Sequence, residues 1–184
     1  MRILVVTNLY PPQELGGYGR AMADFVWGLQ QRGHQLQVVC SDASYLGPGS
    51  VGPSGEPVDR RLQLKGSFAA GVQHLQDPAA RQAVDQANAA LLRHWLQSAA
   101  WDGVLLGNLD LLGPELLPVM LEPEIPVLHH VGFVAPPYAP EQFPRAAHYR
   151  LVAASRAVRS SLVAAGLPVA EAPVVYPGAR VELF

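Results

Sequence analysis

The chain has 184 residues, 13 Lys and Arg against 15 Asp and Glu, and a formal net charge of -2. That balance leaves no basic stripe for nucleic acid and no polybasic patch for a membrane surface. Hydrophobic residues make up 49% and charged ones 15%, which excludes a disordered polymer, and the length suits one domain with its own core.

Arg2 to Val6 is an almost unbroken apolar run, the pattern of a strand covered on both faces in a parallel sheet. It stops at Thr7-Asn8 and Pro11-Pro12, too soon for a signal-peptide core or a bilayer span. A loop carrying Gly16-Gly17 follows, and then Met22, Phe25, Val26 and Leu29 fall at helical spacing, with Gly33 as the stop. Leu36 to Cys40 resumes as a strand, completing a strand, helix, strand unit. Cys40 is the single cysteine, which excludes an internal disulfide framework and fits a reducing, cytosolic setting; in its strand it reads as a small core residue.

Residues 41–58 read as a loop, and Leu62 with Leu64 marks a short third strand. Asp77-Pro78 opens a helix reaching about Ala99, with Val84, Ala87, Leu91 and Trp95 on one face. Val104–Leu106 is a fourth strand, Pro114–Leu121 a short helix that Pro118 distorts, and Pro126–Val131 a fifth strand. After a Pro-rich loop over 132–144, Leu151–Ala154 is a sixth strand. Ser155 caps a helix with Val158 and Leu162 inward, stopped at Gly166, and Val174-Val175 closes the series. Strands alternating with helices predict an α/β domain with a doubly wound parallel sheet.

Ligands of such sheets bind outside the carboxyl ends of the strands. Gly16-Gly17 lies between strand and helix, so its amides either face an anion at the helix N-terminus or simply make the turn. The sequence there is neither G-x-G-x-x-G nor a P-loop. His129 and His130 end the fifth strand on opposite faces, poorly placed to share a metal. Each is either a satisfied core histidine or a contact for a sugar hydroxyl. Arg20 meets an anion or a surface carboxylate; Asn108 and Asp110 follow the fourth strand; Phe133, Tyr138 and Phe143 form an acceptor wall or pack as partly buried loop aromatics. No nucleophile elbow and no H-E-x-x-H metal motif is present, and no metal site is expected.

The order Met1-Arg2-Ile3-Leu4-Val5-Val6, Tyr10-Pro11-Pro12, Gly16-Gly17, Arg20 and Arg32-Gly33-His34 resembles the start of family 4 glycosyltransferases. Leu151-Val152-Ala153-Ala154-Ser155, then Val174-Val175-Tyr176-Pro177-Gly178 and Phe184, resembles the end of that family's N-terminal domain. The resemblance implies that residues 1–184 are the Rossmann-like, acceptor-side half of a GT-B enzyme, with the C-terminal donor-binding domain absent from this chain. That family's paired glutamates have no counterpart here, and Phe184 falls where the family crosses into its second domain.

The implied reaction moves a sugar from a nucleotide-sugar donor to an acceptor hydroxyl with retention. It needs no metal and no cofactor beyond the nucleotide-sugar co-substrate, and the isolated half is inactive. The acceptor is a sugar, a lipid-linked compound or a small molecule, and the setting is cytoplasmic or peripheral at the inner membrane face. Gly16 and Gly17 then lie beside the donor diphosphate. His130, or His129, contacts the reacting sugar, and Tyr18, Arg20, Asn108, Phe133 and Tyr138 receive the acceptor. In an ungapped match the family's cleft histidine falls at Gly132, followed by Phe133, so His130 stands in for it under a different strand register. The alternative is a non-catalytic α/β module that binds a sugar or nucleotide.

Overall fold

The computed structural model describes residues 1–178 and 180. Six parallel strands form one sheet: β1 (Arg2–Val6), β2 (Gln35–Ser41), β3 (Val58–Leu62), β6 (Gly103–Leu106), β7 (Val127–Val131) and β8 (Tyr149–Ala153). Their spatial order is β3-β2-β1-β6-β7-β8, so the chain winds outward in one direction from β1 and then returns to wind outward from β6. That is the strand order of a Rossmann sheet, and the expected doubly wound α/β architecture is the one found. A two-stranded antiparallel ribbon, β4 (Gly66–Ser67) with β5 (Gln73–His74), stands apart from it.

The helices divide unequally. On one face α1 (Tyr18–Gln30) packs Met22, Ala23 and Val26 onto Ile3, Val5, Val38 and Leu105. On the other, α2 (Pro78–Ser98), α3 (Leu117–Leu121) and α4 (Arg156–Ala164) cover Leu4, Val6, Val104, Leu106, Val127 and Leu151. Alternate residues of β1 serve the two cores, so the strand needs apolar side chains throughout, as its sequence has. Among the described residues no helix covers the half of the α1 face formed by β7 and β8, and Leu128 is 40% exposed there.

Capping follows the sequence signals. Asp77 Oδ1 accepts from the Ala79 amide at 3.0 Å with Pro78 in the first turn of α2, and Ser155 Oγ accepts from Val158 at 3.1 Å. Val158 and Leu162 point inward as expected. Gly33, at φ +78°, turns the chain out of α1.

Four expectations shift. The third strand is Val58–Leu62, earlier than the Leu62–Leu64 reading, because an edge strand tolerates the charged Asp59, Arg60 and Arg61 that masked it. The buried stripe of α2 is Asn88, Leu92 and Leu96 rather than Val84, Ala87, Leu91 and Trp95, and Ala87 is exposed. Asn88 is what selects it: its side-chain amide accepts from Gln63 N and donates to Gln63 O, each at 2.8 Å. Pro114–Leu116 is a 3-10 turn, and Pro118 lies in the first turn of α3, where its missing N–H breaks nothing. Val174 makes only an isolated bridge with Ala153. Ala179 and Phe184, expected in the passage to a second domain, lie outside the described residues.

Candidate functional site

The strand order reverses between β1 and β6, whose carboxyl ends stay bonded through Gly107 N to Val6 O at 2.8 Å and Asn8 N to Asn108 O at 2.9 Å. Ligands of sheets of this kind settle outside such strand ends, in the crevice at the reversal. A cavity of about 120 Å³ lies at the ends of β6 and β7, walled by Gly107, Asn108, Asp110, His129, His130 and Phe133. Local backbone needs shape its rim. Asn108 Oδ1 accepts from the Asp110 amide at 3.1 Å and its Nδ2 donates to Asp110 Oδ2 at 3.1 Å, so both side chains are partly occupied by their own turn.

The glycine turn leads into Tyr18, whose ring and hydroxyl meet Phe133 and His130 of this wall. Gly16 takes φ +70°, a left-handed conformation that favours glycine, and Gly17 caps α1 at φ -91°, ψ -10° without any side-chain bond to the helix. No heavy atom lies within 4 Å of where a Cβ on either glycine would sit. The head of α1 is therefore open, and the first amides of a helix lack intrahelical acceptors. Its partial positive charge has no acidic side chain in the first turn against it.

The loop carrying these glycines is held from behind by residues that sequence reading missed. Arg60 donates to Tyr10 O at 2.9 Å and to Pro11 O at 2.6 Å, and Gln13 Nε2 donates to Ser41 O at 2.8 Å. The Tyr10 hydroxyl donates to the buried Glu56 carboxylate. These partners come from distant loops and strands, so no local pattern announces them. Cys40 sits in the same cluster as a buried thiol, which burial pushes up to about 12.

Tyr18 docks the head of α1 onto the end of β7. Its hydroxyl donates to the His130 carbonyl and lies 3.1 Å from His130 Nδ1, while its ring lies 5.4 Å from that of Phe133. Burial raises the Tyr18 phenol above its ordinary range, which keeps it a proton donor. Phe133 is 43% exposed at the crevice mouth. Arg20 is turned aside: it donates to Glu14 from Nε at 3.0 Å, and this pairing holds the Glu14 carboxyl below its usual value.

The two histidines alternate as expected, one to each face, and both touch the crevice. Neither ring is free. His129 Nδ1 bonds the Tyr149 hydroxyl at 2.8 Å. Complete burial drives its pKa down to about 3. His130 donates from Nε2 to Val175 O at 3.0 Å, and burial lowers its pKa as well. Tyr138 is 5% exposed, with its hydroxyl 2.6 Å from that of Tyr149, so it faces the core rather than the crevice. The structure thus brings His130, Phe133 and Asn108 around one cavity, with Tyr18 packed on His130 and Phe133. Gly16 and Gly17 precede Tyr18 in the chain but are not among the residues that wall it, and Arg20 and Tyr138 also lie outside it.

A second hollow of about 310 Å³ continues from the crevice past Asp110 and Pro137. Lys65 lies buried in its wall, paired with Asp85 at 2.9 Å and Glu115 at 2.6 Å, beside His74 and Arg81. The β4–β5 ribbon that builds this wall has strands of two residues each, too short for a periodic signal. Among the described residues no group of three or more His, Cys, Asp or Glu is placed to hold a metal ion. Among them, too, no helix is long and apolar enough to cross a membrane.

No protein-family model matches the sequence, and no curated protein does either. Solved structures do share the fold. UDP-GlcNAc 2-epimerase from Neisseria meningitidis bound to UDP-GlcNAc aligns over 95% of this chain at 14% identity and a TM-score of 0.55. MurG of Acinetobacter baumannii aligns over 83% at 15% identity and a TM-score of 0.54. The catalytic domain of starch synthase IV from Arabidopsis thaliana, bound to ADP and acarbose, aligns over 72% at 13% identity and 0.51. The chain spans 45%, 41% and 34% of those three proteins respectively, and its architecture is one half of a GT-B fold.

Proposed function

We propose that the chain is the N-terminal, acceptor-side half of a GT-B glycosyltransferase that moves a sugar from a nucleotide-sugar donor to an acceptor hydroxyl. The observation that carries this is the open head of α1: no heavy atom stands within 4 Å of where a Cβ on Gly16 or Gly17 would sit, no side chain caps the helix, and the next residue, Tyr18, packs on Phe133 of the cavity wall. An anion is the natural partner of such a terminus, and a donor diphosphate is the anion this chemistry brings. Two of the fold neighbours were solved with a nucleotide or a nucleotide sugar bound, which supports the same reading.

In the proposed reaction the bond from the sugar anomeric carbon to the diphosphate breaks, and a bond to the acceptor oxygen forms. The acceptor O–H proton passes to the leaving phosphate oxygen as the nucleoside diphosphate departs, and the α1 amides stabilise the negative charge that develops there through preorganised dipoles. The acceptor lies over Phe133 and Asn108, where an apolar face and polar groups meet. His129 and His130 enter as walls of the site, since each ring has a nitrogen engaged. Family 4 membership, retention and a donor-binding second domain belong to the proposal on the strength of the N- and C-terminal motif resemblance. The chain by itself is then expected to turn over no nucleotide sugar.

A second reading, a nucleotide-sugar epimerase, is favoured by the 95% of this chain that aligns on the 2-epimerase. Calorimetric titration of the protein with UDP, ADP and GDP tests the shared step. Saturable binding to one of them, weakened at least tenfold in Gly17→Ala, is the expected result. Binding to none, or equal binding by the variant, overturns the role of the turn.

A further inference from the structure

We propose that His130 is a positioning residue that joins the glycine turn at the head of α1 to the segment 174–178, so that the two move together. The imidazole is held from opposite sides. Its Nε2 donates to Val175 O at 3.0 Å, and Tyr18 Oη stands 3.1 Å from its Nδ1 while donating to the His130 carbonyl. Phe25 meets the ring edge-on at 4.9 Å. Turning the ring to follow one partner abandons the other, so a displacement of Tyr18 reaches Val175 without any intervening soft element.

Segment 174–178 has few other anchors. Val175 N donates to Ala153 O at 2.9 Å, and two residues beyond the segment Arg180 pairs with Asp24 of α1 at 2.7 Å, its guanidinium 5.9 Å from the Trp27 ring centre. Below it runs a groove of about 530 Å³ between α1 and the bare half of the sheet, walled by Phe25, Leu128, Val152, Val175 and Tyr176. His130 stands where this groove and the crevice meet, and it belongs to the lining of both. The bond from His130 is thus one of the contacts that place the segment. Two sites that bias one such element are coupled, and the coupling is reciprocal.

The functional sense of this joint rests on the anion reading of the glycine turn, but the joint itself is testable without a ligand. Amide exchange is followed by NMR at Ala21, whose N–H closes the first turn of α1 on Gly17 O, and at Val175. His130→Phe keeps a ring against Phe25 and Tyr18 but has no N–H. It is expected to speed exchange at both amides about tenfold, while amides of β1 and β6 stay unchanged. Exchange that rises at one amide only, or at neither, overturns the proposal. Tyr18→Phe, which leaves the bond to Val175 intact, serves if His130→Phe fails to fold: faster exchange at Val175 supports the joint, and an unchanged rate there refutes it. Addition of UDP to the wild-type protein is expected to slow exchange at Val175. If the wild type binds no UDP, the anion reading falls, and the pair of rates in the free protein still decides the joint.

Discussion

Tyr18 occupies the space that a side chain on Gly132 would need: a Cβ there would fall inside the van der Waals envelope of the Tyr18 ring. The bare backbone at the end of β7 is thus the seat of the first residue of α1, and the glycine is required by close approach rather than by an unusual φ. Gly132→Ala should unseat the ring and destabilise the protein by about 1–3 kcal/mol, the usual range for forcing extra volume into a packed site. Chemical denaturation of the two proteins measures it, and equal midpoints would refute the seat.

The glycine turn separates backbone need from ligand access. Gly17 has a helical φ and open surroundings, so Gly17→Ala should leave the melting temperature unchanged or slightly raised. Nucleoside diphosphate binding should fall at least tenfold, about 1.4 kcal/mol, because the methyl stands in the anion's path. Gly16, at φ +70°, should behave in the opposite way: Gly16→Ala strains the chain by about 1–2 kcal/mol and lowers the melting temperature. Thermal melts and calorimetry on both variants separate the two effects.

His129 ties stability to pH. The folded protein keeps it neutral down to about pH 3, whereas an unfolded chain takes up the proton near pH 6.5. Its contribution is complete above about pH 6.5 and is lost as pH falls toward 3, at about 1.4 kcal/mol per pH unit per histidine. His130 acts in the same direction. Urea unfolding between pH 7 and pH 4 should show this slope, and His129→Gln should remove one proton's share of it.

Asn88 answers both backbone groups of Gln63 from within the apolar stripe of α2. Asn88→Ala leaves a partly buried N–H and C=O without partners and should cost about 2–6 kcal/mol, from about 1–3 for each stranded group. Denaturant melts check this, and a loss below 1 kcal/mol would mean that water replaces the amide.

Asn88 also shows what the sequence withheld. Apolar periodicity finds stripes of apolar side chains, so a polar residue at the centre of the buried face shifts the apparent stripe around the helix. The sheet, by contrast, was legible: β1, β2 and β6 are covered on both faces, β7 carries an apolar run despite the exposed Leu128, and their alternation with α1, α2 and α4 implied the winding. The glycine turn was legible as a place, through Gly16-Gly17 between strand and helix. Its supports were not, because Arg60, Glu56 and Gln13 meet it only after distant segments fold together. Tyr138 and Arg20 read as crevice residues on position alone, and packing against Tyr149 and pairing with Glu14 took them elsewhere.

Tyr149 is the middle member of a row: its hydroxyl lies 2.6 Å from that of Tyr138 and 2.8 Å from His129 Nδ1. The two tyrosines are therefore unequal. Tyr138→Phe leaves the Tyr149 oxygen one partner short, whereas Tyr149→Phe strands the Tyr138 hydroxyl and His129 Nδ1 together. The second variant should be the less stable by about 1–3 kcal/mol, although both lose a single oxygen atom. Parallel denaturant melts of the two proteins would reveal that order as a difference between two otherwise identical deletions.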